Sequence, residues 1–218
     1  MAHPSKSKKD RKTSAWFHRH VNDAHVKKAQ REGKRSRAAF KLIEILDKHG
    51  LNIKKGSVVV DLGCAPGSWS EELVSYVGKD GLVIGIDLLP LKAIEGVTLI
   101  QGDFDSPEGQ KALQEALAGR NIDIVVSDMA PEMSGNKLVD QMRMIGLNEM
   151  TLHFAEQHLR QGGHLVMKTF MGEGYDQFRK ELGRSFQKVK NIKPAASRKT
   201  SAEFFLFGQG FRSSSRET

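Results

Sequence analysis

The chain has 218 residues, 39% of them hydrophobic, and a formal net charge of +8. That length suits one ordinary domain with a short extension, and the hydrophobic share is enough for a core, which excludes disorder throughout. No apolar run approaches the roughly 18 residues that span a bilayer, and the first dozen residues are charged rather than signal-like. A single cysteine, Cys64, excludes an internal disulfide and a cysteine-rich metal site. No metal is expected, and the cytoplasm is the expected compartment.

Residues 1–41 hold 13 Lys or Arg against three acids (Asp10, Asp23, Glu32), a net of +10, whereas the remaining 177 residues carry a net of −2. Such a block is either a solvated tail or a surface for a polyanion. It contains Trp16, Phe17 and Phe40 and runs straight into a helix. Cations interleaved with aromatics suit RNA, whose phosphates take the charge and whose unpaired bases stack. Lys34, Arg35, Arg37 and Lys41 are the candidate RNA contacts. Residues 1–13 read as a flexible basic arm, 14–211 as a single domain whose first part (about 14–50) forms RNA-binding helices, and 212–218 as a disordered tail.

The elements then alternate. A helix is predicted over 36–49 with Ala39, Leu42, Ile43 and Leu46 on one face. SVVVDLG (57–63) reads as a buried strand, 68–78 as a helix ending at Gly78, and 82–89 and 97–103 as strands. A helix over 107–119, a strand over 122–128, a long helix over 138–160 and a strand over 163–170 follow. After a helix at about 174–184, strands at 186–193 and 202–210 are joined by a loop too short for a helix, so they should pair antiparallel. The fold class is α/β, a doubly wound, mostly parallel sheet with one antiparallel strand near its end, binding its ligand at the carboxyl ends of the strands.

The loop after the first strand, VVVDLGCAPGSWS (58–70), brackets a turn between Gly63 and Gly67, where glycine lets the backbone approach a ligand. Ala65 and Ser68 stand where a dinucleotide fingerprint needs glycine, which argues against a nicotinamide or flavin enzyme. Asp87 lies 24 residues beyond Gly63, where an acid can accept ribose hydroxyls. Asp103 can accept from an adenine amine, and Asp128 ends the fourth strand. With Asp61, four strands end in Asp at one rim, a pocket for a ligand with a ribose, an adenine and a cationic centre. Lys168, inside the apolar strand LVMKTF, reads as an edge lysine reaching for water or as a general base kept in apolar surroundings.

The segments SRAAFKLIEI (36–45), VVDLGCAPGSWS (59–70), IDLLP (86–90), QGDF (101–104), SDMAPEMSG (127–135), GGHLVMKTFMGEGYD (162–176) and KPAASRKTSAEFF (193–205) resemble the RrmJ/FtsJ-type ribose 2′-O-methyltransferases. The resemblance runs from about Ala15 to Gly210. It implies a Rossmann-like class I methyltransferase fold and S-adenosylmethionine as cofactor. It also implies a Lys-Asp-Lys-Glu tetrad, falling on Lys41, Asp128, Lys168 and Glu203, with Lys168 as proton acceptor. Gly67, Trp69, Asp87, Asp103 and Asp128 match the family's cofactor contacts, and Gly63 joins them from the loop itself. Ser68 and Cys64 depart from the usual Gly and Ala, both small. Single-domain bacterial members of this size modify a uridine ribose in large-subunit (23S) ribosomal RNA. The resemblance therefore implies that RNA as partner, met by a monomer, ahead of the alternative of 2′-O-methylation of another RNA such as a messenger cap or transfer RNA.

Two other readings compete. A non-catalytic RNA-binding assembly factor would need only the basic arm, yet Gly63, Gly67, Asp128 and Lys168 are all present. An N-methyltransferase on the same fold usually carries an (Asn/Asp)-Pro-Pro-(Tyr/Phe) turn. The corresponding residues are Asp128-Met129-Ala130-Pro131, without the aromatic.

Overall fold

A computed structural model describes residues 24–197 and 201–212. The arm at 1–13, the stretch with Trp16 and Phe17, and the tail from 213 onward lie outside the described residues. Two helices open the described chain, α1 (Ala24–Arg31) and α2 (Ala38–His49). Then come β1 (Val58–Leu62), α3 (Ser68–Val77), β2 (Leu82–Asp87), β3 (Val97–Gln101), α4 (Pro107–Leu117), β4 (Ile122–Ser127), α5 (Lys137–His158), β5 (Leu159–Phe170), α6 (Tyr175–Ser185), β6 (Phe186–Ile192) and β7 (Glu203–Phe211).

The strands form one sheet in the order β3-β2-β1-β4-β5-β7-β6. β1 to β5 run parallel, and β7 lies antiparallel between β5 and β6. The expected class and the antiparallel pairing of the last two strands are both found. β1 is buried along its whole length, as the continuous run Val58-Val59-Val60 requires of a strand covered on both faces.

Alternation along the strands divides the core. Val58, Val60 and Leu62 face Leu113 of α4, Leu152 and Phe154 of α5, and Phe178 of α6. Val59, Val83, Val126 and Val166 face Leu42 and Ile45 of α2 and Trp69 and Leu73 of α3. Each such aliphatic side chain contributes about 1.5–3 kcal/mol by leaving water.

Local chemistry sets several ends. Ser106 caps α4 by accepting from Gly109 N at 3.0 Å, with Pro107 opening the helix. Asn136 caps α5 by accepting from Leu138 N at 3.1 Å.

Three expectations need correction. β5 starts at Leu159 rather than 163, because a register shift between Ile122 and Ile124 lets the earlier residues pair. On α2 the sheet-facing stripe includes Ile45, while Ile43 turns to a small separate cluster. Phe40 belongs to that cluster with Ala29 of α1 and Ala196, at 9% exposure, so it packs helices and does not offer a stacking face to RNA.

Candidate active site

The parallel strands β1, β2 and β4 end at one rim, and a cleft of about 460 Å³ opens there. Gly63, Asp87, Asp103, Phe104, Asp128 and Met129 are among its lining. Gly63 has φ +68°, and a Cβ on it would stand 2.0 Å from Met129 Cγ, so glycine lets Met129 close the back of the cleft. Gly67, at φ +94°, turns the chain into α3. The carboxylate of Asp87 is oriented by two backbone donors, Ala65 N and Leu89 N, each at 2.8 Å. Asp103 Oδ1 accepts from Asp105 N at 3.0 Å. Leu88 and Leu89, 68% and 63% exposed, offer apolar cover on the same side of the cleft.

Three aspartates line this cleft rather than four. Asp61 is 1% exposed within β1, and its Oδ2 accepts from Ser70 Oγ at 2.6 Å. Burial pushes its carboxyl up to about 7, the Ser70 hydroxyl opposes the rise, and the nearby Asp128 and Asp87 reinforce it. Asp61 borders only a small recess, about 40 Å³, which adjoins the cleft at Gly63, Ala65 and Asp128. Trp69 lines that recess too and is 2% exposed. Its Nε1 donates to Ala38 O at 2.8 Å, and its ring centroid lies 5.5 Å from that of Phe205. Cleft and recess together fit a ligand with hydroxyls and an amine for carboxylates and a flat ring for apolar cover.

Beside the cleft, four distant residues meet. Lys168, near the end of β5, is 7% exposed. Because β5 lies between β4 and β7, no edge is open to it, and the water-reaching reading is removed. Its Nζ donates to Asp128 O and stands 3.1 Å from Asp128 Oδ1. Lys41 Nζ, delivered by α2, stands 3.5 Å from the same Asp128 oxygen and 2.9 Å from Glu203 Oε1. Phe205 lies under it, ring centroid 5.5 Å from Nζ. Burial raises the carboxyl of Glu203, but Lys41 beside it, the Ser197 hydroxyl at 2.7 Å and Lys168 beyond outweigh that, so it titrates below the usual glutamate range.

Several supporting residues carry no signal in the sequence reading. Asn148 Nδ2 donates to Lys168 O at 2.7 Å from inside α5, and Ser197 holds Glu203. An asparagine on the buried stripe of a helix was the one available clue.

The candidate RNA contacts other than Lys41 already hold protein partners. Lys34 pairs with Glu72 at 2.7 Å, Arg35 with Glu71 at 3.2 Å, and Arg37 donates to Ala196 O. They pin the start of α2 against α3 and the loop before β7.

A parallel sheet with one strand reversed between β5 and β6 is the Rossmann-like methyltransferase fold, and the rim just described gives it a ligand cleft. Comparison with known proteins narrows this. The FtsJ-like methyltransferase family model matches residues 34–211. A ribosomal RNA large subunit methyltransferase E from Acinetobacter baumannii is 51% identical over 203 residues, covering 93% of this chain and 94% of its own. One from Psychrobacter cryohalolentis is 47% identical over 198 residues, covering 91% and 94%. A solved structure described as a ribosomal RNA methyltransferase from Plasmodium falciparum superposes with TM-score 0.72 at 34% identity, covering 81% of this chain and 98% of that one. Fibrillarin from Aeropyrum pernix, solved with natively bound S-adenosyl-L-methionine, shares the fold at TM-score 0.56 and 18% identity. The chain belongs to the FtsJ-like methyltransferase family.

Proposed function

We propose that this enzyme transfers a methyl group from S-adenosylmethionine to a ribose 2′-hydroxyl of large-subunit ribosomal RNA, with Lys168 taking the hydroxyl proton. The observation that carries the reading is Lys168 Nζ, buried and 3.1 Å from a carboxylate that also lines the cofactor cleft. Bound cofactor supplies a methyl group on a sulfonium, an electrophile that needs no further activation. What remains for the protein is to align a weakly acidic hydroxyl with it and to accept one proton.

Asp87 and Asp103 suit the cofactor's ribose and adenine, with Gly63, Gly67 and Trp69 forming the loop and recess around them. Asp128 joins the two halves of the site, since it borders the cleft and holds both lysines. Glu203, fixed by Lys41 and Ser197, orients Lys41 toward the acceptor ribose. The names of the relatives at 51% and 47% identity support ribosomal RNA as substrate. A uridine ribose is the proposed target, met by a monomer, because one chain supplies all four residues of the tetrad. Lys34, Arg35 and Arg37 reach RNA only with whatever their present partners leave available. A ribosomal substrate supports the cytoplasm as the compartment; no described helix is long and apolar enough to cross a membrane.

Incubation with methyl-tritiated cofactor and either purified large-subunit RNA or assembled subunits, followed by nucleoside analysis, tests this directly. The label should appear in a 2′-O-methylated nucleoside. Label in a base or in protein, or no transfer to either RNA form, overturns it.

A further inference from the structure

A second cleft, about 400 Å³, opens on the far side of the tetrad from the cofactor cleft. Met133, Lys137, Gln141, Phe170, Met171 and Ala202 line it. We propose that it receives the nucleobase of the nucleotide whose ribose is methylated, turned out of its stack. The inference rests on the ribose-methylation reading above and adds where the base goes.

Sheet order supports the placement. The cofactor cleft lies over the ends of β2, β1 and β4, the tetrad over β4 and β5, and this second cleft over β5 and β7. An acceptor ribose at Lys168 has the cofactor on one side, so its base must leave along the rim on the other. Phe170 is two residues beyond Lys168 and therefore on the same face of β5. It pairs across the sheet with Glu203, and Ala202 immediately precedes Glu203. The floor of the cleft is thus continuous with the tetrad.

Its chemistry suits a base. Met133 and Met171 are 59% and 44% exposed, and Leu138 and Met142 beside them on α5 are 53% and 65% exposed. An apolar patch of that kind on a polar enzyme marks a contact surface, and thioether and phenyl groups are good partners for a flat ring. Gln141 adds a polar handle. Its Nε2 is buried with no acceptor among the described residues. The amide lies against Gly172, where a Cβ would stand 2.1 Å from Gln141 Oε1, so glycine there makes room for it. A buried donor without an acceptor is unfavourable, and a turn of the side chain toward a base carbonyl would relieve it. Reading an extruded base by its edge while stacking its faces is the general way enzymes hold one.

The test uses the full-length enzyme and a ribosomal RNA substrate in two forms, once labelling has located the methylated nucleotide. One form is intact; the other carries an abasic ribose, with its 2′-hydroxyl, at that position. Gln141→Leu and Met171→Ala are compared with the parent, and cofactor affinity is measured for each as a check on folding. On intact RNA each variant should lose about tenfold in kcat/KM, a typical loss for one base contact, with cofactor affinity unchanged. On the abasic form the parent should fall at least as far as the variants do on intact RNA, and parent and variants should then be equal. Parent-like activity of both variants on intact RNA overturns the proposal. So does an equal loss on both RNA forms, because the residues would then act on something other than the base. If the parent makes no 2′-O-methylated nucleoside from intact RNA, the ribose reading itself fails and the proposal with it. Met171 is largely at the surface, so its variant keeps the test decisive even if Gln141→Leu folds poorly.

Discussion

Lys168 is held at both ends, its ammonium by Asp128 and its own carbonyl by Asn148, so the nitrogen has a fixed place from which to meet a hydroxyl. Lys168→Ala should bind cofactor like the parent and lose methyl transfer by at least about 10²-fold, the low end for a missing general base. Arginine should not rescue it, because a guanidinium stays protonated in proteins. Single-turnover rates at saturating cofactor and RNA decide the point; near-parent activity in Lys168→Arg would make Lys168 a positioning charge. Asp61 makes a separate prediction about stability. Burial pushes its folded pKa up to about 7, above the ordinary aspartate range, so the folded state holds the proton more tightly. Stability from this group is therefore greatest in acid, declines as pH rises from about 4 to about 7, and is flat above that. Asp61→Asn keeps an acceptor for the Ser70 hydroxyl and removes the titration. It should flatten that limb and raise stability relative to the parent at pH 8. Denaturant midpoints across pH 4–8 check it, and parallel profiles for the two proteins would sink the idea. Glu203 works in the opposite sense. Its depressed pKa contributes stability that is present above the ordinary glutamate range and lost as pH falls through the folded value.

At the scale of elements, α2 is the arm that carries Lys41 to the rim, and its start is pinned by ion pairs. Glu72 is 7% exposed and depends on Lys34 for its partner. Lys34→Ala should lower stability by roughly 1–2 kcal/mol, less than a fully buried pair costs because Lys34 itself is only partly covered. Thermal unfolding measures this; an unchanged Tm with weaker RNA binding would return Lys34 to the RNA surface. The order of strands and helices was legible because hydrophobic periodicity and glycine punctuation are local signals, and β1 and α4 show both. Phe40 was not legible in that way. Its partners, Ala29 and Ala196, are 11 and 156 positions away, and no pattern on α2 alone distinguishes an aromatic that packs helices from one that awaits a base. The cleft lining could be read from the ends of β2, β3 and β4, whereas Asp61 looked equivalent and is turned inward to Ser70. The grouping of Lys41 with Glu203 came from family resemblance, since 162 residues separate them and no spacing rule joins them. Ser197 acts through a distant partner, which leaves no mark in sequence, and Asn148 leaves only a polar residue on the buried stripe of a helix.

For the whole molecule, positive charge is concentrated in residues 1–41, and under the proposed function that block would supply much of the RNA affinity. Deleting 1–13 removes Lys6, Lys8, Lys9, Arg11 and Lys12 together with Asp10. RNA binding should weaken and its salt dependence become shallower, since fewer counterions are released, while cofactor affinity stays constant. Binding isotherms at several salt concentrations test it, and an identical slope would reduce the arm to a solvated tail. The reversed strand has a consequence of another kind. β6 pairs only with β7, and β7 is the last strand made. Until residue 203 and those after it leave the ribosome, β5 keeps an open edge and β6 has no neighbour in the sheet. The nascent chain therefore carries one open sheet edge and one unpaired strand, of the sort that template aggregation. It also lacks Glu203, the fourth member of the proposed tetrad. The sheet and the proposed site therefore close only when β7 is in place, and a chain cut a dozen residues short of Phe211 should neither close its sheet nor transfer a methyl group.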